Sequence, residues 1–227
     1  MRTIICLTAC SLIVAAGPAT AHAEVIVSQF DNFENGTTQG WDSGDRNPHP
    51  PANVASGGPA GAGDNYLKIT STDGSGAGSK LVAFNTAQWT GNYLAAGVTK
   101  ITMDLENLGT SALQIRLLLE GDGGNFVSVQ SFPLASSSGW RVASFPLGSG
   151  DLTGGFNYSA TLGHVRQLRI IHNPSANPLP SSVPSIVAQL GVDNITAVPE
   201  PATLLLLAIA GPCLLGHARR RYGQARR

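Results

Sequence analysis

The chain has 227 residues, of which 42% are hydrophobic and 12% charged, and its formal net charge is zero. That balance hides an asymmetry, because residues 24–197 contain eight basic and thirteen acidic residues, a net charge of −5. An acidic body argues against a nucleic-acid partner, which requires a basic face.

The first 23 residues predict a secretory signal peptide. Arg2 supplies a positive charge, an apolar run follows over 4–16, and the sequence Ala21-His22-Ala23 resembles a cleavage site. This segment is expected to be a short helix that is removed, so that the mature protein begins at Glu24. The alternative is a lipoprotein with lipid on Cys10, but the apolar segment before that residue is very short.

The cysteines predict a body without disulfides. Cys6 and Cys10 lie in the signal segment and Cys213 lies near the C-terminus. A domain of about 170 residues can bury enough surface to fold without such cross-links. Its stability is therefore expected to come from packing, with a bound metal as a supplement.

Short apolar runs separated by turn residues predict an all-β body over residues 24–197. Alternation with period 2 is clearest in the runs ITMDL and LQIRL, which begin at Ile101 and Leu113. Strands are predicted at 25–30, 66–71, 80–85, 99–105, 113–120, 126–132, 140–146, 165–172 and 186–196. Their even spacing favours a sandwich or barrel, without helices in the body. The stretch 37–65, rich in glycine and proline, is predicted to be a long loop that covers a sheet edge.

Four short motifs in the body resemble those of known families. They are DNFENGTTQGW from Asp31, GDNYL from Gly63, the pair Gly139-Trp140, and VDNI from Val192. Their order is similar to that in carbohydrate-binding modules and galactose-binding-like domains. The resemblance implies a jelly-roll β-sandwich.

The same resemblance implies a structural calcium ion that ties the first strand to the last. The matching residues are Glu34 and Asp193, with Asp31 as a weaker additional ligand. Calcium prefers several oxygen ligands, which carboxylates, loop carbonyls and water can supply. The alternative is that these acids cap turns at the sheet edge.

Three tryptophans and one pair of acidic residues are candidates for ligand binding or catalysis. The resemblance places Trp41 and Trp140 in the core, which leaves Trp89 as the candidate for contact with a sugar. Asp104 and Glu106 share one strand face, as a pair of glycosidase carboxyls would, but solvated strand acids commonly do so without chemistry. The histidines of the body lack partners at metal-binding spacing. No catalytic residue is therefore predicted.

The C-terminal residues have three parts in a fixed order. Pro199-Glu200-Pro201 is followed by a fifteen-residue apolar stretch over 202–216 and then by five arginines. The prolines predict an extended strip that stays outside the last strand. The apolar stretch is short for a bilayer, but extended to 202–217 it predicts a transmembrane helix with its arginines on the cytoplasmic side.

These three parts resemble the PEP-CTERM sorting signal of Gram-negative bacteria, over residues 198–227. The resemblance implies that a membrane-embedded exosortase recognises Pro199, Glu200 and Pro201 and processes the tail. It also implies a setting in which extracellular polysaccharide is made. A plain C-terminal membrane anchor is the alternative.

Together these observations predict an exported protein that is held in the inner membrane and then sorted to the cell surface or beyond. Its non-catalytic sandwich is expected to contact exopolysaccharide. The alternatives are a secreted polysaccharide hydrolase or lyase, and an adhesin or scaffold that binds protein.

Overall fold

The computed structural model describes residues 24–199, which form a sandwich of two antiparallel β-sheets. The predicted signal segment and most of the predicted sorting tail lie outside the described residues. The described part contains thirteen strands, one α-helix and a 3-10 helix at Pro180–Ser182. The strands are β1 (Phe30–Asp31), β2 (Trp41–Asp42), β3 (Ala52–Val54), β4 (Tyr66–Ser71), β5 (Val82–Asn85), β6 (Val98–Asn107), β7 (Leu113–Gly121), β8 (Gly124–Ser128), β9 (Phe132–Leu134), β10 (Arg141–Pro146), β11 (Leu152–Gly154), β12 (Val165–His172) and β13 (Ala188–Pro199). Helix α1 is Tyr158–Gly163.

The two sheets differ in which strands they contain. The first sheet has the order β10-β6-β13-β4-β3, and β1 also pairs with β13. The second sheet has the order β11-β8-β7-β12-β5-β2, and β9 also pairs with β7. Few strand neighbours are consecutive in the chain, so the sandwich depends on contacts between distant segments.

The core lies between the sheets and is built by alternation along the strands. Leu67 and Ile69 of β4 point into it, as do Leu117 and Leu119 of β7, while the residues between them face outward. Burial of this apolar surface, at about 25 cal/mol per Å², is the main favourable contribution to folding. The all-β prediction is therefore confirmed for the body.

The strand predictions were correct where alternation is strong and wrong in the turn-rich segments. Strands Tyr66–Ser71 and Val165–His172 have the predicted bounds. The predicted strand 25–30 is wrong, because only Phe30–Asp31 pairs regularly there. The predicted loop 37–65 contains two short strands, β2 and β3.

Helix α1 was also not predicted. Its six residues begin after Asn157, whose side chain accepts a 3.0 Å hydrogen bond from the backbone N–H of Ala160. An Asn cap of this kind stabilises the first turn. A helix of fewer than two turns is too short to give a visible 3.6-residue period.

Pro199 is the last residue of β13, which corrects the prediction that the Pro-Glu-Pro segment stays outside the last strand. Pro199 is buried and lies opposite Val98, next to a shift in register. Proline is tolerated at a strand end, because its missing N–H interrupts no further pairing there. The sandwich thus continues two residues beyond the predicted boundary at 197.

Asp31 joins the two sheets through buried hydrogen bonds. Its Oδ2 atom accepts the indole N–H of Trp41 at 2.9 Å and that of Trp89 at 2.7 Å. Asp31 lies on β1 of the first sheet, Trp41 lies on β2 of the second, and both indoles are buried. Desolvation raises the pKa of Asp31, although the indole donors and Gln88 partly oppose that effect.

We expect Asp31→Leu to lower the free energy of unfolding by about 2–6 kcal/mol, because it leaves two buried indole donors unsatisfied at about 1–3 kcal/mol each. Asp31→Asn keeps an acceptor oxygen for both indoles and is the matched control. Chemical denaturation of residues 24–199 measures both changes. Equal losses in the two variants would show that the hydrogen bonds do not carry the effect.

The comparison of the wild type with Asp31→Asn also predicts a pH dependence of stability. Because the pKa of Asp31 is raised in the folded state, the native protein takes up a proton before the unfolded chain does. The stability of the wild type relative to Asp31→Asn should therefore increase as the pH falls from the raised pKa towards 3.8. Denaturation curves at several pH values would contradict this if the difference stayed constant or reversed.

Candidate functional site

The outward face of the second sheet carries a group of half-exposed polar and aromatic residues. Leu168 and Ile170 of β12 point into the core, so Gln167 and Arg169 face outward. The registers place Gln167 opposite Glu120 and Arg169 opposite Phe84. We call this group the open face; its members are Phe84, Glu120, Asn125, Gln167 and Arg169.

Arg169 is the centre of the open face. Its Nε atom lies 2.6 Å from Glu120 Oε1, and its guanidinium carbon lies 5.3 Å from the centroid of the Phe84 ring. The Arg169 and Glu120 side chains are 21% and 22% exposed. The ion pair is therefore partly shielded from solvent, although its two atoms are not aligned as a hydrogen bond.

The loop between β12 and β13, residues 173–187, covers the neighbouring part of the same face. Val183 and Ala176 of this loop pack on Leu118, Val127 and Ile171, which form a second apolar cluster outside the main core. The loop thus closes one part of the sheet surface and leaves the open face beside it.

Buried Arg116 on β7 anchors this loop. Its guanidinium donates to the backbone carbonyls of Asn173, Ser128, Val129 and Pro174 over distances of 2.6–3.1 Å. These four bonds tie the start of the loop and the end of β8 to one outward-facing side chain. Arg116 thereby fixes the edge of the open face.

The first sheet carries a separate acidic site around Asp193. The side chain is fully buried, Oδ1 accepts the backbone N–H of Asn194 at 2.7 Å, and Oδ2 has no hydrogen-bond partner. Burial raises the pKa of Asp193 to about 7, and the charges of Asp64, Asp104 and Glu34 add to that effect. Three further acids therefore lie near one unpartnered buried oxygen of Asp193.

Glu34 and Asp193, predicted from distant parts of the chain, are brought into the same region. Glu34 Oε1 accepts the backbone N–H of Asn65 at 2.7 Å, which anchors the loop beside the site. Within residues 24–199, no three carboxylate, imidazole or thiol side chains converge into a complete metal site. A calcium ion here would therefore take further ligands from carbonyl oxygens and water. Oxygen-rich surroundings and an orphaned buried carboxylate oxygen fit that ion.

Asp31, the weaker calcium candidate, is engaged inside the core. Its Oδ2 atom accepts two indole donors and lies 3.3 Å from Gln88 Nε2. These contacts give Asp31 a structural role in the core.

The prediction that Trp89 contacts a sugar is corrected by its burial. Its side chain is fully buried and its indole N–H is bonded to Asp31, so it presents no ring face to a ligand. Trp41 is buried as predicted. The prediction that Trp140 lies in the core is wrong. Trp140 is half-buried on the outer side of the first sheet, where it packs edge-on against Tyr66 over Gly191.

Asp104 and Glu106 also face outward on the first sheet. Asp104 accepts a 2.9 Å hydrogen bond from the side-chain amide of Asn194, whose backbone has a positive φ of 51° at a register shift in β13. Burial raises the pKa of Tyr66, and the charge of nearby Glu106 adds to that effect. Asp104 is thus engaged by a structural neighbour.

Sequence reasoning missed Phe84 and the residues around it. Phe84, Glu120 and Arg169 come from three strands and lie in no common motif. The only available signal was alternation, since Phe84 is next to the inward-facing Ala83. Alternation predicts on which face of the sheet a residue lies, but not whether a loop covers that residue.

The predicted sorting residues lie at the edge of the described part. Pro199 ends β13, whereas Glu200 and Pro201 lie outside the described residues, as does the predicted transmembrane segment 202–217. Over 24–199, no helix has the length and apolar character needed to cross a bilayer.

Comparison with known proteins gives one sequence family and several similar folds. Residues 197–221 match the family described as the PEP-CTERM protein-sorting motif. No curated protein matches the chain in sequence.

Among solved structures, an exo-β-agarase is similar with a TM-score of 0.54 and 12% identity, over 77% of this chain and 25% of that one. The chain thus spans about a quarter of that enzyme's length. A family 11 carbohydrate-binding module from Clostridium thermocellum has a TM-score of 0.46 and 18% identity, over 77% and 97% of the two chains. A cellulose-specific module of family 28 has a TM-score of 0.47 and 14% identity, over 78% and 97%.

These likenesses concern the fold. The chain therefore carries a PEP-CTERM sorting motif at 197–221, preceded by a β-sandwich whose structural neighbours are carbohydrate-binding modules.

Proposed function

We propose that this protein is an exported surface or matrix protein that is processed by an exosortase through its C-terminal motif and binds extracellular polysaccharide without cleaving it. The polysaccharide contacts the open face, and calcium occupies the site around Asp193. The observation that carries the binding proposal is the Arg169–Glu120 pair, held against the half-exposed ring of Phe84.

The open face has the chemistry that a sugar requires. An aromatic ring provides an apolar surface for sugar C–H groups, while carboxylate, guanidinium and amide groups bond hydroxyls. Gln167, Glu120 and Asn125 lie opposite one another on three adjacent strands. A row of this kind could contact successive hydroxyls of an extended chain.

The partial shielding of the ion pair favours specific binding. Hydrogen bonds to charged groups are stronger than those between neutral groups, and they strengthen as water is excluded. Because Arg169 and Glu120 already form an ion pair in the free protein, a ligand would lose less free energy in ordering them.

The proposed calcium ion would be structural. It would be held by Asp193 and Glu34, with Asp64 nearby, and it would neutralise charge that now raises the pKa of Asp193. Glu34 follows β1 and Asp193 lies on β13, so the ion would tie the start of the body to its last strand.

For the open face, we expect Phe84→Ala to weaken polysaccharide binding by residues 24–199 at least about tenfold, equivalent to 1.4 kcal/mol. Glu120→Gln should also weaken it, because it removes the charge that positions Arg169. A panel of soluble polysaccharides in affinity electrophoresis identifies the ligand and measures both changes.

Phe30→Ala is the matched control, since Phe30 is 49% exposed on the first sheet. Binding that is equal in the Phe84 and Phe30 variants would place the ligand elsewhere. A reducing-sugar assay on the bound polysaccharide tests the absence of catalysis. Turnover that is lost on Asp104→Asn would favour the hydrolase alternative.

For the metal, we expect calcium at about one hundred times its dissociation constant to add about 2.7 kcal/mol of stability, or roughly 5–10 °C in Tm. Asp193→Asn and Glu34→Gln should remove this increment. Asp122→Asn, which alters an exposed acid in the turn between β7 and β8, should keep it. An unchanged melting curve between calcium and EDTA would discard the site.

For processing, we expect wild-type protein from the native host to lack its apolar tail, and the variant Glu200→Gln to retain it. Mass spectrometry of the intact protein measures the difference. Wild-type protein that ends at Arg227 would contradict processing.

A further inference from the structure

One end of the sandwich combines the exit of the chain towards the sorting tail with exposed apolar side chains. Only Glu200 and Pro201 separate the end of β13 from the apolar stretch that begins at Ala202. Three Cα–Cα steps span at most about 11 Å. The apolar stretch therefore begins almost directly at the edge of the folded body.

Pro199 is held in the sheet, so the end of β13 cannot act as a flexible spacer. It is buried and pairs with Val98, while the neighbouring Ala197 exchanges backbone hydrogen bonds of 3.0 Å with Ser28 and Gln29. The headgroup layer on each side of a bilayer is about 5–7 Å thick. With the apolar stretch inserted, this end of the sandwich must therefore lie at the headgroups.

Three residues around this exit are apolar and exposed. Ile26 is 64% exposed and precedes the segment that pairs with Ala197. Leu94 is 48% exposed and lies in the turn that leads into Val98. Phe30 is 49% exposed and lies opposite Thr196, three residues before Pro199. We call these three residues the exit patch.

We propose that the exit patch contacts the lipid bilayer and seats the unprocessed sandwich directly on the membrane surface. This inference rests on the proposed insertion of the tail. Aromatic and aliphatic side chains at this depth gain free energy by entering the interface. The occupant is lipid, because the path of the chain brings the patch to the headgroup layer before any other partner arrives.

Contact between the exit patch and the bilayer also has a consequence for processing. The first proline of the motif stays paired in the sheet, so the processing enzyme must approach the motif between the sandwich and the bilayer. The exit patch thus holds the motif at a constant depth.

The test uses the chain from Glu24 to Arg227 with Cys213→Ser. Residues 24–199 contain no cysteine, so each introduced cysteine is then the single site for labelling. Single variants Ile26→Cys, Phe30→Cys and Leu94→Cys are labelled with an environment-sensitive fluorophore and reconstituted in phosphatidylcholine vesicles. Val187→Cys is the matched control: it is 56% exposed and lies beside the start of β13, roughly 40 Å along the strand from Pro199.

We expect brominated lipids to reduce the fluorescence of labels at positions 26, 30 and 94 by about twofold or more, as for probes buried 5–10 Å in the interface, and to leave position 187 unchanged. A label on the native Cys213 reports tail insertion separately. Quenching at position 213 without quenching in the exit patch would overturn this inference and leave the sorting proposal intact. No quenching at position 213 would overturn tail insertion itself.

Discussion

The carboxylate of Asp31 is the constraint on which the rest of the sandwich depends. It is buried between two tryptophans, one on the second sheet and one in the segment after β5, while Asp31 itself pairs with the last strand. An apolar core alone would permit the two sheets to slide, because dispersion contacts have little directional preference. Two directed hydrogen bonds to one charged acceptor fix their relative position. The cost of burying that charge is visible in its raised pKa.

The second buried carboxylate, Asp193, has the opposite character. Oδ2 of Asp31 accepts two indole donors, whereas one oxygen of Asp193 has no donor and further acids lie near it. Two aspartates of similar burial therefore have different surroundings: one completes the protein's own hydrogen bonds, and the other has an oxygen without a hydrogen-bond partner. Both lie where the N-terminal segment meets β13, so this region joins the start of the body to its last strand.

Sequence reasoning succeeded where one physical rule dominated. Tyr66–Ser71 was found with its bounds because strict alternation leaves one register. The family-like motifs led to the prediction of Glu34 and Asp193 as calcium ligands, which stays a prediction. It failed for Trp89, because a turn residue gives no sign of which side its ring faces. It missed Phe84, whose neighbours come from other strands. Pro199 was misplaced because a rule for strand interiors was applied to a strand end.

The clamp that Arg116 forms on the second sheet has a consequence for how binding can change over evolution. Its four acceptors are all backbone carbonyls, so the bonds do not depend on the identity of the loop side chains. Substitutions in that loop can reshape the rim of the open face while its backbone keeps the same path. Under the proposed function, such substitutions would change the preference for a polymer without a redesign of the interior.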